Sequence, residues 1–254
     1  MSRRRLVRQG RRVGSAVLIL VVWQLLVQGE RINPLFLPAP LTVLGEMWRM
    51  TVSGALPWAV LVSLGRVVQG FAYGALVGIV LGLLTGAVPW IEDVVDPWVA
   101  AVYPIPKSAL FPMFLLWFGL GDTSKVVTIA VGVLFLVLVN TVTGVKSINP
   151  LLLKAAVDLG ASRRQVFTKV ILPGALPNIF TGLRLGAGMA LILVFVTEIE
   201  ATKEGLGFLV WDSFQLMETT RVFVGVVTFG ILGVATTWLL QWLERAACPW
   251  SSAR

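Results

Sequence analysis

Long apolar stretches, broken by short polar ones, organise this chain. They run over residues 13–27, 58–86, 98–119, 125–145, 174–198 and 222–243. A helical crossing of a bilayer needs ~20 mainly apolar residues, so the pattern predicts an all-α polytopic membrane protein with about six transmembrane helices. The stretches at 58–86 and 174–198 have room to tilt or to extend past the hydrocarbon. The stretch at 13–27 is the shortest. Arg3, Arg4, Arg5, Arg8, Arg11 and Arg12 precede it, as in a secretory leader, but no small-x-small cleavage site follows before Gln28-Gly29-Glu30-Arg31. It reads as a retained first span. The chain then divides into a basic N-terminus (1–12), a first span with its outer loop (13–57), a core (58–245) interrupted by the polar segment 146–173, and a tail (246–254).

Two of the apolar stretches carry a finer pattern. Gly70, Gly74, Gly78, Gly82 and Gly86 recur every four residues, and Gly182, Gly186 and Ala190 repeat the spacing later. On a helix each set makes one bare stripe that lets another backbone approach closely. The stretch at 98–119 instead contains Pro104, Pro106 and Pro112, each lacking a backbone donor. A helix broken at membrane depth must be buried in protein or line an aqueous cavity, so this stretch is either part of a pathway or a kinked packing helix. Residues 32–57 form a Pro-containing loop followed by a short amphipathic segment at 41–51.

Composition narrows the chemistry. Hydrophobic residues are 57% of the chain and charged residues 13%, too few charges to cover a soluble protein of this size. There is no histidine and a single cysteine, Cys248, which removes His relays, His-ligated metals and intramolecular disulfides. No metal site and no catalytic residue is expected. The net charge of +8 reads as loop anchoring, not nucleic-acid binding. With the N-terminus inside, the inner side holds the six N-terminal arginines, Lys146, Lys154, Arg163, Arg164, Lys169, Arg245 and Arg254. The outer side holds Arg31, Arg49, Lys125, Lys203 and Arg221. The positive-inside rule therefore favours both termini in the cytoplasm.

The segment 146–173 is the most informative. Lys154-Ala155-Ala156-Val157-Asp158-Leu159-Gly160 is followed, after nine residues, by Val170-Ile171-Leu172-Pro173. Helix formers flank Gly160, and Arg163, Arg164, Gln165 and Lys169 add polarity, so a helix–turn–helix at the cytoplasmic face is expected. An amphipathic anchor is the plainer alternative. The spacing resembles the EAA motif of bacterial ABC-importer permeases, Glu-Ala-Ala, three residues, Gly, nine residues, Ile-x-Leu-Pro, with Lys154 replacing the Glu and Val170 the Ile. Ser63-Leu64-Gly65-Arg66-Val67, Gly70-Phe71, Pro104-Ile105-Pro106-Lys107, Trp117-Phe118-Gly119-Leu120-Gly121, Gly182-Leu183-Arg184 and Gly205-Leu206-Gly207 are similar to the nitrate/sulfonate/taurine type of these permeases.

The resemblance implies a type I ABC importer transmembrane fold in the bacterial inner membrane. It implies a second permease chain, with a homodimer preferred over a close paralogue, and two cytoplasmic ATP-binding subunits. It also implies a periplasmic or lipid-anchored substrate-binding protein. In such permeases the motif docks on the ATPase, which points to Lys154, Ala155, Ala156, Asp158, Gly160, Arg163, Arg164, Leu172 and Pro173 as the coupling loop. The implied solute is a small anion such as a sulfonate, taurine or nitrate.

The chain has no Gly-x-x-x-x-Gly-Lys-Ser/Thr segment. The nearest fragment, Gly144-Val145-Lys146-Ser147, lacks the spacing. No cofactor of its own is expected, ATP being bound by partner subunits. An ion-coupled secondary transporter or channel is the alternative, but it would want intramembrane acids, and Glu198 is the one acid at that depth. Arg66, Lys107 and Arg184 lie within or beside the spans. Together with Glu198 they either line the translocation pathway, where the cations would favour an anion, or bond neighbours to hold the bundle.

Overall fold

The computed structural model describes residues 3–250, with side chains described from Gly14 onward except at Ala16. The side chains of the basic N-terminal run, the end of the tail and Arg254 lie outside the described residues. The described residues form helices and connecting turns. In chain order the helices are α1 (Arg3–Gln28), α2 (Pro40–Val52), α3 (Ala55–Ala87), α4 (Pro89–Val102), α5 (Phe111–Phe118), α6 (Asp122–Lys146), α7 (Pro150–Asp158), α8 (Arg163–Val166), α9 (Leu172–Ala201), α10 (Leu206–Gln215) and α11 (Thr219–Ala247). A 3₁₀ turn at Lys107–Leu110 leads into α5, and a π-helical turn at Phe167–Ile171 joins α8 to α9.

The centre of the bundle is a three-helix sandwich in which α6 lies between α3 and α9. The glycine stripe of α3 makes it possible. A Cβ on Gly70 would meet Ile129, on Gly78 Val137, on Gly82 Thr141 and on Gly86 Val145, each within 3 Å. The row of β-branched residues on α6, stiff in a helix, thus fills a groove that only bare backbone leaves open. Gly182 and Gly186 of α9 meet Val137 and Val133 from the other side. Ile129, Val133, Val137, Ala190, Leu193 and Val194 are buried here.

The register also fixes the path of the chain. Contacts on α3 and α6 advance together, so the two helices run parallel, while α9 runs against α6. Two parallel neighbours require a return crossing between them. That crossing is α4 plus the 107–118 segment, bent by 91° at the prolines. The predicted break is present. α3, α6, the continuous helix Arg163–Ala201 and α11 are each long and apolar enough to cross a membrane, and the bent pair makes a fifth span. The predicted first span falls on α1, of which Val17–Gln28 is the apolar stretch among the described residues. Large apolar side chains face outward on α1, α3 and α11, among them Leu18, Leu76, Trp238 and Trp242. In lipid this surface is the solvated one.

Candidate functional site

Polar chemistry gathers at the two ends of this sandwich. At the end where α3 and α6 begin and α9 stops, Glu198 is fully buried. Its carboxylate accepts from Arg66 Nη1 at 2.6 Å, from Ser63 Oγ at 2.8 Å and from the Gly207 backbone N–H at 2.8 Å. Arg66 also donates through Nε to Asp122 at 2.8 Å and through Nη1 to the Glu204 carbonyl at 3.0 Å. Ser63 Oγ in turn accepts from the Leu206 N–H at 2.8 Å. The cluster fastens α3, α6, α9 and the start of α10. Gly205 turns with φ +112, and a Cβ there would sit 2.5 Å from the Glu198 carboxylate. A buried ion pair holds only when its remaining hydrogen-bonding capacity is met, and here backbone and hydroxyl donors meet it.

Lys107 sits at the break. Its ammonium donates to the carbonyls of Val102 (2.7 Å), Tyr103 (3.0 Å) and Ile105 (2.8 Å), and lies 4.8 Å from the centre of the Phe135 ring. The Val102 carbonyl would take the residue-106 N–H in a regular helix, which Pro106 lacks, and keeps only a turn bond from the Ile105 N–H at 3.2 Å; the Tyr103 and Ile105 carbonyls lie in the break itself, where the helix is interrupted. One cation satisfies all three. Arg184, on the half of α9 nearer the opposite end, pairs with Glu244 of α11 and donates to Thr181 Oγ1 at 3.1 Å. Each of the three cations flagged from the sequence therefore has a partner inside the fold.

At the opposite end of the bundle the segment 146–173 projects as α7, a turn and α8. Asn149 caps α7 by accepting from the Leu151 N–H, with Pro150 in the first turn. Gly160 ends it at φ +81. The Ala161 N–H reaches the Ala156 carbonyl and the Gly160 N–H reaches Val157, a Schellman closure that calls for a left-handed residue. Ser162 and Gln165 form a reciprocal capping box that starts α8. Lys154, Ala155, Asp158, Gly160, Arg163 and Arg164 are exposed, whereas Ala156, Leu172 and Pro173 are half-buried. Ile171 and Leu172 pack on Val145, Ala175 and Ile179 and root the loop in the bundle. The nine residues thus divide into a rooted base and a projecting tip.

Several participants escaped the sequence reading. Ser63 lies three residues before the already flagged Arg66 on one helical face, a signal that was readable, but Asp122 and the 205–207 turn come from distant chain. A second ionic cluster was unforeseen: Glu46 of α2 bonds Arg49 at 2.7 Å and Arg221 of α11 at 3.0 Å, and Arg221 also bonds Glu218. The hydrogen bond from Arg49, joined by Arg221, holds the Glu46 carboxyl below its ordinary range against a weaker pull from burial. Beside this cluster opens a cavity of about 550 Å³ bordered by Arg49, Trp58, Lys203, Asp212 and Arg221. No cluster of potential metal ligands occurs among the described residues.

Residues 74–247 match the family model of the binding-protein-dependent transport system inner membrane component. The chain is 35% identical to the taurine transport system permease protein TauC of Escherichia coli strain K12, over 94% of this chain and 88% of that one. It is 33% identical to the putative aliphatic sulfonates transport permease protein SsuC of Bacillus subtilis strain 168, over 92% and 85%. A crystal structure of an amino acid ABC transporter with histidines shares the fold, with a TM-score of 0.62 at 18% identity over 74% of this chain and 92% of that one. The chain belongs to the family of binding-protein-dependent transport inner membrane components, a multi-pass permease and not itself an enzyme.

Proposed function

We propose that this permease pairs with a second copy of itself in an ATP-driven importer, receives a small sulfonate-class anion from an external binding protein, and takes energy from cytoplasmic ATP-binding subunits through residues 146–173. In this reading the segment faces the cytoplasm together with both chain termini, and the Glu198–Arg66 end faces outward. The observation that carries it is the projecting helix–turn–helix, which keeps the Ala155-Ala156, Gly160 and Leu172-Pro173 spacing while being rooted on α6 and α9 at its base. The end-to-end similarity to permeases named for taurine and aliphatic sulfonates supports the solute class. Ion-gradient coupling finds no support in that family membership.

Arg66, Lys107, Arg184 and Glu198 serve the route by bracing its walls, since each is engaged by a partner. Attraction of an anion then falls to the outer cavity, where Lys203 forms no ion pair among the described residues while Arg49 and Arg221 are held by Glu46 and Glu218. The test is uptake of radiolabelled taurine or an alkanesulfonate into liposomes holding the permease, its ATPase and loaded binding protein. ATP-dependent accumulation, with two permease chains in the native mass of the complex, is the expected result. Accumulation by the permease alone under an ion gradient would overturn it.

A further inference from the structure

The tip of the cytoplasm-facing segment collects charge that the fold leaves unanswered. Lys154, Asp158, Arg163, Arg164 and Lys169 are exposed, and none of them forms an ion pair among the described residues. Elsewhere Arg49, Arg66, Lys125, Lys146, Arg184 and Arg221 have carboxylate partners, whereas Arg31, Lys107, Lys203 and Arg245 form no ion pair among the described residues but lie scattered, not gathered on one segment. Beside these charges Leu151, Val157 and Leu159 stand 70%, 60% and 88% exposed. Apolar side chains this bare, ringed by unpaired charge, mark a surface made to be covered.

The order of the charges is specific. Lys154 and Asp158 are four residues apart on α7, so they project from one face about 6 Å apart along the axis. The motif that this segment resembles carries an acid where Lys154 stands. Here a cation occupies that position and the acid comes one turn later. A lipid surface would gain from the cations but would be opposed by Asp158 on the same face. A protein groove with matching charges uses both.

We propose that the ATP-binding subunit of this importer presents a carboxylate to Lys154 and a basic side chain to Asp158, so that the pair sets both the direction in which α7 lies in its groove and the choice of ATPase. This rests on the docking reading given above and adds the partner's chemistry to it. An ATPase groove built for an acid at the first position would set a cation against Lys154, and like-charge contact at an interface discriminates strongly.

The experiment titrates the ATPase onto the intact permease in lipid nanodiscs, reading apparent affinity from stimulated ATP hydrolysis with loaded binding protein. Lys154→Glu is expected to weaken apparent affinity at least tenfold with the saturating rate retained, and Lys154→Arg to stay within twofold of wild type. Reversing one groove carboxylate of the ATPase to Lys should restore affinity for Lys154→Glu. Unchanged or tighter binding by Lys154→Glu would overturn the proposal. So would a defect that appears in anionic-lipid nanodiscs and vanishes in phosphatidylcholine ones, which would assign Lys154 to lipid headgroups. Ala156→Asp separates the two levels. If it releases the ATPase while Lys154→Glu does not, the charge assignment alone fails; if it too leaves binding intact, the docking reading fails with it.

Discussion

The glycines of α3 and the glycine of the α7–α8 turn are needed for opposite reasons. Gly70, Gly78, Gly82 and Gly86 have ordinary helical backbones that any residue could adopt, but no space for a Cβ against α6. Gly160 has open space around it and a backbone at φ +81 that side chains resist. The first set is a condition of packing and the second a condition of shape. The difference shows how the molecule divides its labour. The α3–α6–α9 sandwich is closed, with the Thr85 hydroxyl inside it unpaired among the described residues, and it shelters the Glu198–Arg66 cluster at one end. The 146–173 segment is built to a defined outline but is left uncovered.

Perturbations should therefore split into those that unfold the sandwich and those that silence the segment without unfolding anything. The largest cost to the fold is expected from Glu198→Ala, which leaves the buried Arg66 guanidinium with the exposed Asp122 as its one carboxylate partner and removes the acceptor of the Gly207 N–H. Breaking such a pair costs ~3–5 kcal/mol, to be read as a lowered melting temperature of the solubilised permease. Gly78→Val comes next, because its Cβ would lie 2.8 Å from the Leu134 carbonyl and 2.9 Å from Val137 Cβ. Overpacking of this kind costs ~1–3 kcal/mol, and a melting temperature equal to wild type would show that the seam is looser than described.

Gly160→Val should cost only ~1–2 kcal/mol of local backbone strain, confined to the turn. Its melting curve should barely move while stimulation of the ATPase is lost. Normal stimulation would blur the contrast, since outline would then not matter. The smallest effect belongs to Glu46→Gln. Because the Glu46 carboxyl is held below its ordinary range, its contribution is present at neutral pH and is lost as pH falls through that lowered value. The half-exposed cluster should contribute no more than ~1 kcal/mol. The gap in melting temperature between variant and wild type should close in acid, and a gap that widens would invert the assignment.

Much of this was legible in the sequence, and the residues show why. Glycine spacing announced a helix–helix seam because period four is a helical face, and the partner row of Ile129, Val133, Val137, Thr141 and Val145 has the same period. Three prolines announced the break, and Gly160 announced the turn. What stayed hidden depends on long-range geometry. Nothing local to Arg66 reveals that Asp122 and Glu198, 56 and 132 residues away, will meet it. Lys107 could be flagged as a charge beside a broken helix, but its three carbonyl partners follow only from the 91° bend. The helix α10 was missed as an element because ten residues between two polar turns carry too little periodicity to separate from the span before them.

The π-helical turn at Phe167–Ile171 has a consequence for how this segment can change over time. There the Leu172 N–H reaches back five residues to Phe167, just ahead of Pro173, whose ring would crowd the Lys169 carbonyl in a regular helix. The turn holds one residue more than an α-helical one. Losing a single residue from it would close the bulge into α-helical pairing and turn α8, and α7 with it, by far less than the ~100° that a deletion in a regular helix imposes. The turn can thus give up one residue of length while the docking outline keeps nearly its aim, and that slack lies between the rooted base and the projecting tip.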